Sequence, residues 1–180
     1  MNDEISALLD VTRRLDAAGI EYMLTGSMAL NLYAMPRMTR DIDLVAAVVL
    51  GDTSRMEAIF PGTEFYVSPE AVREAVLGQT SFNLIHLATM TKVDIMVRKR
   101  NEYRLMEFSR RQSFAVRGQA LSVVSKEDLI LSKLDWARDS LSERQLDDVR
   151  NLLATGCDME YLESWANRLD LNTILTRVLA

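Results

Sequence analysis

The chain contains one cysteine and one histidine in 180 residues. A lone cysteine, Cys157, forms no internal disulfide, so a reducing compartment, the cytoplasm, is the expected location. The lone histidine, His86, falls in an apolar alternating stretch and reads as structural. Without it no Ser–His–acid or Cys–His set can be assembled, which excludes the common nucleophilic hydrolases. No apolar run approaches the ~20 residues a membrane span needs, so no membrane partner is expected. The opening MNDEISALLD is acidic and amphipathic, unlike a secretory leader.

The composition is ordinary for a globular domain, with 48% hydrophobic and 26% charged residues. A formal net charge of −5 argues against a protein that coats nucleic acid nonspecifically. Charge is uneven, however. From Arg98 to Arg117 the chain carries seven Lys or Arg against two Glu. That run is either an ordinary solvated face or a local phosphate-attracting patch.

Hydrophobic periodicity predicts a helix over 3–18, a short strand EYMLT, a helix SMALNLYA with Ser27 near its N-cap, and a strand DIDLVAAV. Two helical pieces follow, SRMEAIF and PEAVREAVLG, with an extended EFYV between them. SFNLIHL and KVDIMV read as a hairpin, then a helix around 101–110, then a second hairpin of SFAV and ALSVV. Beyond residue 124 the pattern is helical throughout, beginning with a capping arrangement at Ser125. Trp136 and Trp165 fall on apolar helical stripes and are expected in the core or between helices. The expected organisation is an α/β core over residues 1–124 and a helical region over 125–180 packed on it.

Two carboxylates stand out. Side chains alternate along a strand, so Asp41 and Asp43 share one side while Ile42 takes the other. Like charges so placed repel unless a cation lies between them. Asp94 sits in KVDIMV between apolar Val93 and Ile95, and Asp is a poor strand residue and costly to bury alone. If the two strands are neighbours, three carboxylates can hold two Mg²⁺ or Mn²⁺ ions, hard cations that accept carboxylate and phosphate oxygens. Upstream, Gly26–Ser27 opens a helix: glycine lets backbone approach a ligand, and a helix N-terminus offers free N–H groups to phosphate.

Gly26–Ser27, thirteen residues, Asp41-x-Asp43 and a later mid-strand Asp94 resemble the nucleotidyltransferase superfamily with the DNA polymerase β-like fold. The stretch SKEDLILSKLDWARDSLSERQLDDVRNLL is similar to the C-terminal helices of the AbiEii-type toxins of type IV toxin–antitoxin systems. Lys133–Leu134 and Asp148 match that branch; Asn151 stands where a second acid is expected. The resemblance implies an α+β fold, a mixed sheet with flanking helices followed by a C-terminal helical bundle. It implies transfer of a nucleoside monophosphate from an NTP to a hydroxyl, of a tRNA 3′ end or a protein, with Mg²⁺ or Mn²⁺ and a cognate antitoxin as partners. By the same resemblance Asp41, Asp43 and Asp94 are the catalytic and metal-binding residues, and Gly26, Ser27, Arg40, Lys133 and Asp148 bind the nucleotide, with Arg37 a further neutralising charge. Two alternatives stay open: an aminoglycoside adenylyltransferase, and a non-catalytic NTP-binding module of the same fold.

Overall fold

The computed structural model describes residues 2–140 and 142–180. Leu141, inside the toxin-like stretch, and Met1 lie outside the described residues. Among the described residues the chain runs α1 (Asn2–Ala17), β1 (Tyr22–Thr25), α2 (Gly26–Tyr33), β2 (Ile42–Ala46), a 3₁₀ turn Leu50–Arg55 leading into α3 (Met56–Ile59), β3 (Phe65–Val67), α4 (Pro69–Gly78), β4 (Ser81–His86) and β5 (Thr91–Val97). It continues with α5 (Glu102–Ser109), β6 (Gln112–Val116), β7 (Gln119–Val123), α6 (Lys126–Ser140), α7 (Glu143–Leu153), α8 (Met159–Arg168) and α9 (Asn172–Leu179).

The strands form one mixed sheet in the order β3-β4-β5-β2-β1-β7-β6. β2 runs parallel to β5 and antiparallel to β1, so the two Asp-bearing strands are direct neighbours at the centre of the sheet. β2 is shorter than the DIDLVAAV pattern because its partner runs out: β1 has four residues, and Tyr22 pairs with Ala46 at the end of the ladder.

One face of the sheet is closed by apolar burial. Ile42, Leu44, Val93, Ile95, Phe82 and Leu84 point that way and are all under 4% exposed, and α1 buries Ala7, Leu8, Val11 and Leu15 in the same core. At about 25 cal/mol per Å², such a continuous apolar layer dominates the stability of the sheet. The opposite face is covered unevenly. α2 packs against β1, β2, α6 and α7. Towards β5, β4 and β3 the same face carries Lys92, Asn83, Ser81 and Tyr66, all exposed to solvent. The sheet therefore has a walled half and an open half, and they meet at Asp43 and Asp94.

α6 begins as its sequence dictates: Ser125 Oγ accepts from the Asp128 backbone N–H at 3.2 Å and donates to Asp128 Oδ2 at 2.6 Å. The basic run is drawn largely into the structure. Arg98 and Arg111 lie over the Phe108 ring, Arg104 pairs with Glu107, and Arg110 pairs with Asp128. Lys99 and Arg100 remain exposed. His86 is buried, bonded through Nδ1 to Thr89 Oγ1 at 2.8 Å and packed on Phe65.

Candidate active site

Thr25 ends β1 and Gly26 opens α2 at a φ of +65°, a conformation that favours glycine. The closeness of Asp43 requires glycine a second time. A Cβ built on Gly26 would stand 2.1 Å from Asp43 Oδ2, well inside contact distance, so the aspartate side chain lies directly over the glycine backbone. Gly26→Ala should therefore cost more than the roughly 1–2 kcal/mol of the left-handed strain alone, read as a lower midpoint in urea, because Asp43 must also move.

Ser27 lies near the helix N-terminus, as expected, but is not itself the N-cap. That position belongs to Thr25, whose side chain makes no capping bond, and Ser27 sits inside the first turn. The first backbone N–H groups of a helix have no intrahelical acceptor, and here no side chain supplies one at the cap. Ser27 Oγ accepts a hydrogen bond from Arg37 Nη2.

Arg37 reaches this position because the loop after α2 is pinned. Asn31 holds it on both sides, donating to the Arg37 carbonyl and accepting from its N–H, each at 2.9 Å. Asn151 of α7 clasps Met35, donating to its carbonyl at 2.9 Å and accepting from its N–H at 3.3 Å. An acid at position 151 could not make the first of these bonds, since a carboxylate does not donate.

From Arg37 the polar connections pass into the C-terminal helices. Its Nε and Nη2 donate to Asp148 Oδ1 and Oδ2, both at 2.8 Å, a bidentate pair. Asp148 Oδ2 also accepts from Lys133 Nζ at 2.7 Å, and Lys133 Nζ donates to Gln145 Oε1 at 3.1 Å. Lys133 and Asp148 are each about 95% buried. Burial alone would raise the Asp148 carboxyl, but the bonds from Arg37 and Lys133 outweigh it and hold the group below the ordinary carboxylate range. Arg37 Nη1 is buried and has no hydrogen-bond partner among the described residues.

The acids lie where the strands meet. Asp43 and Asp94 face each other in register across β2 and β5, and Asp41 precedes β2, exposed. The Asp43 carboxyl is pushed up to about 6, chiefly by burial and then by the charges of Asp94 and Asp41; Lys133 and Lys92 pull it back in part. Lys92 Nζ pairs with Asp94 Oδ2 at 2.8 Å. Arg40 is exposed, and its charge acts on Glu4 of α1.

Among the described residues no three His, Cys, Asp or Glu side chains converge closely enough to cage a cation unaided. The chemistry of the donor set nonetheless suits a hard divalent ion. The oxygens are carboxylates, and Asp43 is a group whose ionisation is opposed by two like charges, which a cation would relieve. A cavity of about 450 Å³ lined by Val48, Leu50, Val76, Leu77, Val97 and Arg98 lies beyond the other ends of β2 and β5, about 15 Å along the strands from Asp43, and contains none of the acids.

Both tryptophans are expected in the core or between helices, and only Trp165 is found there. Trp165 is 7% exposed and packs on Tyr103, whereas Trp136 is 64% exposed. Lys92, Asn31 and Gln145 were not singled out at all. The spacing of Gln145 and Asp148, three apart on one helical face, was the available signal for the last.

Solved structures share the overall fold of this chain. The chain is similar to the lincosamide antibiotic adenylyltransferase LnuA solved with lincomycin, at 15% identity and a TM-score of 0.56, over 84% of this chain and 96% of that one. It is similar to ANT(2″)-Ia in complex with adenylyl-2″-tobramycin, at 14% identity and a TM-score of 0.62, over 94% and 98%. A third similar structure is an antigenic nucleotidyltransferase-like protein from Paracoccidioides brasiliensis, at 21% identity and a TM-score of 0.58, over 98% and 92%.

The fold is that of the nucleotidyltransferases. No protein-family profile matches the sequence, and no curated protein does. The nucleotidyltransferase fold therefore rests on shape rather than on sequence identity. In it the Gly26–Ser27 turn and the Asp-bearing strands form one continuous wall and floor.

Proposed function

We propose that the protein is a metal-dependent nucleotidyltransferase that moves a nucleoside monophosphate from an NTP to an acceptor hydroxyl. The observation that carries this is the contact of Asp43 with Gly26, which sets a carboxylate in register with Asp94 against the N-terminus of a helix. Phosphate needs N–H donors and the metal needs carboxylates, and the start of α2 and the facing strands β2 and β5 supply both side by side.

Asp41, Asp43 and Asp94 would hold the divalent ions. When bound, these neutralise the triphosphate and stabilise charge on the attacking and leaving oxygens. The chain's own groups do the rest. The Gly26–Ser27 turn seats the β- and γ-phosphates, and Arg37, which donates to Ser27 Oγ, positions that hydroxyl and adds positive charge behind the turn. Arg40 adds charge from the rim. Lys133, ion-paired to Asp148, sets the potential at Asp43 rather than reaching into solvent. The acceptor oxygen attacks the α-phosphorus, the bond to the β-phosphate oxygen breaks, and pyrophosphate leaves. Asp94 takes the acceptor's proton.

Lys133–Leu134 and Asp148 support placement in the toxin-like branch, with an RNA 3′ end or a protein hydroxyl as acceptor and a cognate antitoxin as partner. The antibiotic adenylyltransferases among the similar structures favour a second acceptor class, an antibiotic hydroxyl. Labelled NTPs with Mg²⁺ and, in parallel, total tRNA, a protein lysate, an aminoglycoside and a lincosamide distinguish them. Label is expected on tRNA or protein. Label on a drug selects the second class, and tight NTP binding without pyrophosphate release would instead indicate a binding module.

A further inference from the structure

Trp136 is a large aromatic surface left to solvent on α6, 64% exposed. No ring or cation contact to it is found among the described residues. Its position on the helix is informative. Side chains in a helix lean over the turn that precedes them, so Trp136 overlies positions 132 and 133. Both are fixed by contacts on either side. Ser132 bonds to Glu107 Oε1 of α5 at 2.9 Å and to Arg104. Lys133 belongs to the chain of bonds that runs through Asp148 and Arg37 to Ser27, and its charge acts on Asp43. The indole therefore stands open to solvent on α6 one turn beyond Lys133, the group that connects this helix to the phosphate seat.

We propose that Trp136 is the stacking platform for the base of the bound NTP. This rests on the nucleotidyltransferase reading and adds to it the element that grips the nucleoside. A triphosphate seated at the Gly26–Ser27 turn must send its ribose and base out of it. On the open half of the sheet the exposed groups are Lys92, Asn83, Ser81 and, furthest out, Tyr66, which suit an acceptor. On the α6 side a flat indole stands free. A base buries its face against such a ring without needing a specific hydrogen-bond pattern, so the site discriminates weakly among the NTPs.

The two tryptophans make the test direct. Trp165 is buried between Tyr103 and Arg168, so a change in indole emission on adding ligand reports Trp136. Nonhydrolysable ATP or GTP with Mg²⁺ should alter the emission of the full chain, and inorganic tripolyphosphate, which has no base, should bind without doing so. Trp136→Phe should abolish that emission change while keeping most of the affinity. Trp136→Ala should raise KM for NTP about 10- to 100-fold with kcat within about twofold, and leave tripolyphosphate binding unchanged. An unchanged KM in Trp136→Ala, or an equal emission response to tripolyphosphate and NTP, overturns the platform while leaving phosphate binding intact. An NTP-specific emission change with no pyrophosphate release supports the platform and overturns turnover, so the two failures are told apart.

Discussion

Asp43→Asn is expected to lower metal-dependent pyrophosphate release by at least about 10³-fold and to raise the melting temperature of the metal-free protein at pH 8. The first effect follows from removing a charged oxygen where about 4 kcal/mol of transition-state stabilisation corresponds to that factor. The second follows from the sign of the shift. The folded-state carboxyl is pushed up to about 6 from an ordinary value of 3.8. The unfolded chain therefore ionises first, and the folded state is progressively penalised as pH rises from about 4 to 6. Above 6 the penalty is complete, at most about 3 kcal/mol by the 1.36 kcal/mol per pKa unit rule. The asparagine cannot ionise, so the variant should lose this part of the pH dependence and exceed the parent by several degrees at pH 8, with little difference at pH 4. Asp41→Asn should also suppress turnover, with a smaller thermal effect because Asp41 is exposed. Thermal melts in chelator across pH, paired with pyrophosphate assays, check both. A lower melting temperature for Asp43→Asn at pH 8 would mean that the carboxylate holds the fold together.

Much of the architecture could be read from residue order because local signals agree. The Ser125 cap, the alternation through KVDIMV and the hairpin between SFNLIHL and KVDIMV each predict an element that the structure contains. Sequence leaves the adjacency of Asp43 and Asp94 conditional, since strand order is a non-local property; the parallel register of β2 with β5 meets the condition. What sequence could not supply was the environment of side chains whose partners lie far along the chain. Lys133 looks like any helical lysine until Asp148, Gln145 and Asp43 surround it. Arg37 meets Asp148 across 111 positions and Asn151 meets Met35 across 116, and nothing in local composition announces either. Trp136 fails for the reverse reason: helical periodicity marks a stripe as apolar but does not say where the covering helices end.

The largest stability effect is expected at the other end of the polar chain, in Asp148→Ala. Asp148 neutralises two cations at once, Lys133 at 2.7 Å and Arg37 in a bidentate pair at 2.8 Å. Removing it leaves Lys133, about 95% buried, with Gln145 as its remaining hydrogen-bond partner and no opposite charge in contact. Breaking one side of such a buried pair costs about 3–5 kcal/mol, mostly the penalty of the stranded charge rather than the value of the bond. The paired variant separates these contributions. Lys133→Met with Asp148→Ala removes the stranded ammonium and should recover much of the loss, which urea midpoints of the two single variants and the double would show as strong non-additivity. Activity should not recover with stability. Arg37 would still have lost the carboxylate that holds it against Ser27, and Asp43 would have lost the cation that lowers its carboxyl. A double variant as unstable as Asp148→Ala alone would place the cost in packing between α6 and α7. A double variant that regained turnover would remove this chain of bonds from the phosphate seat altogether.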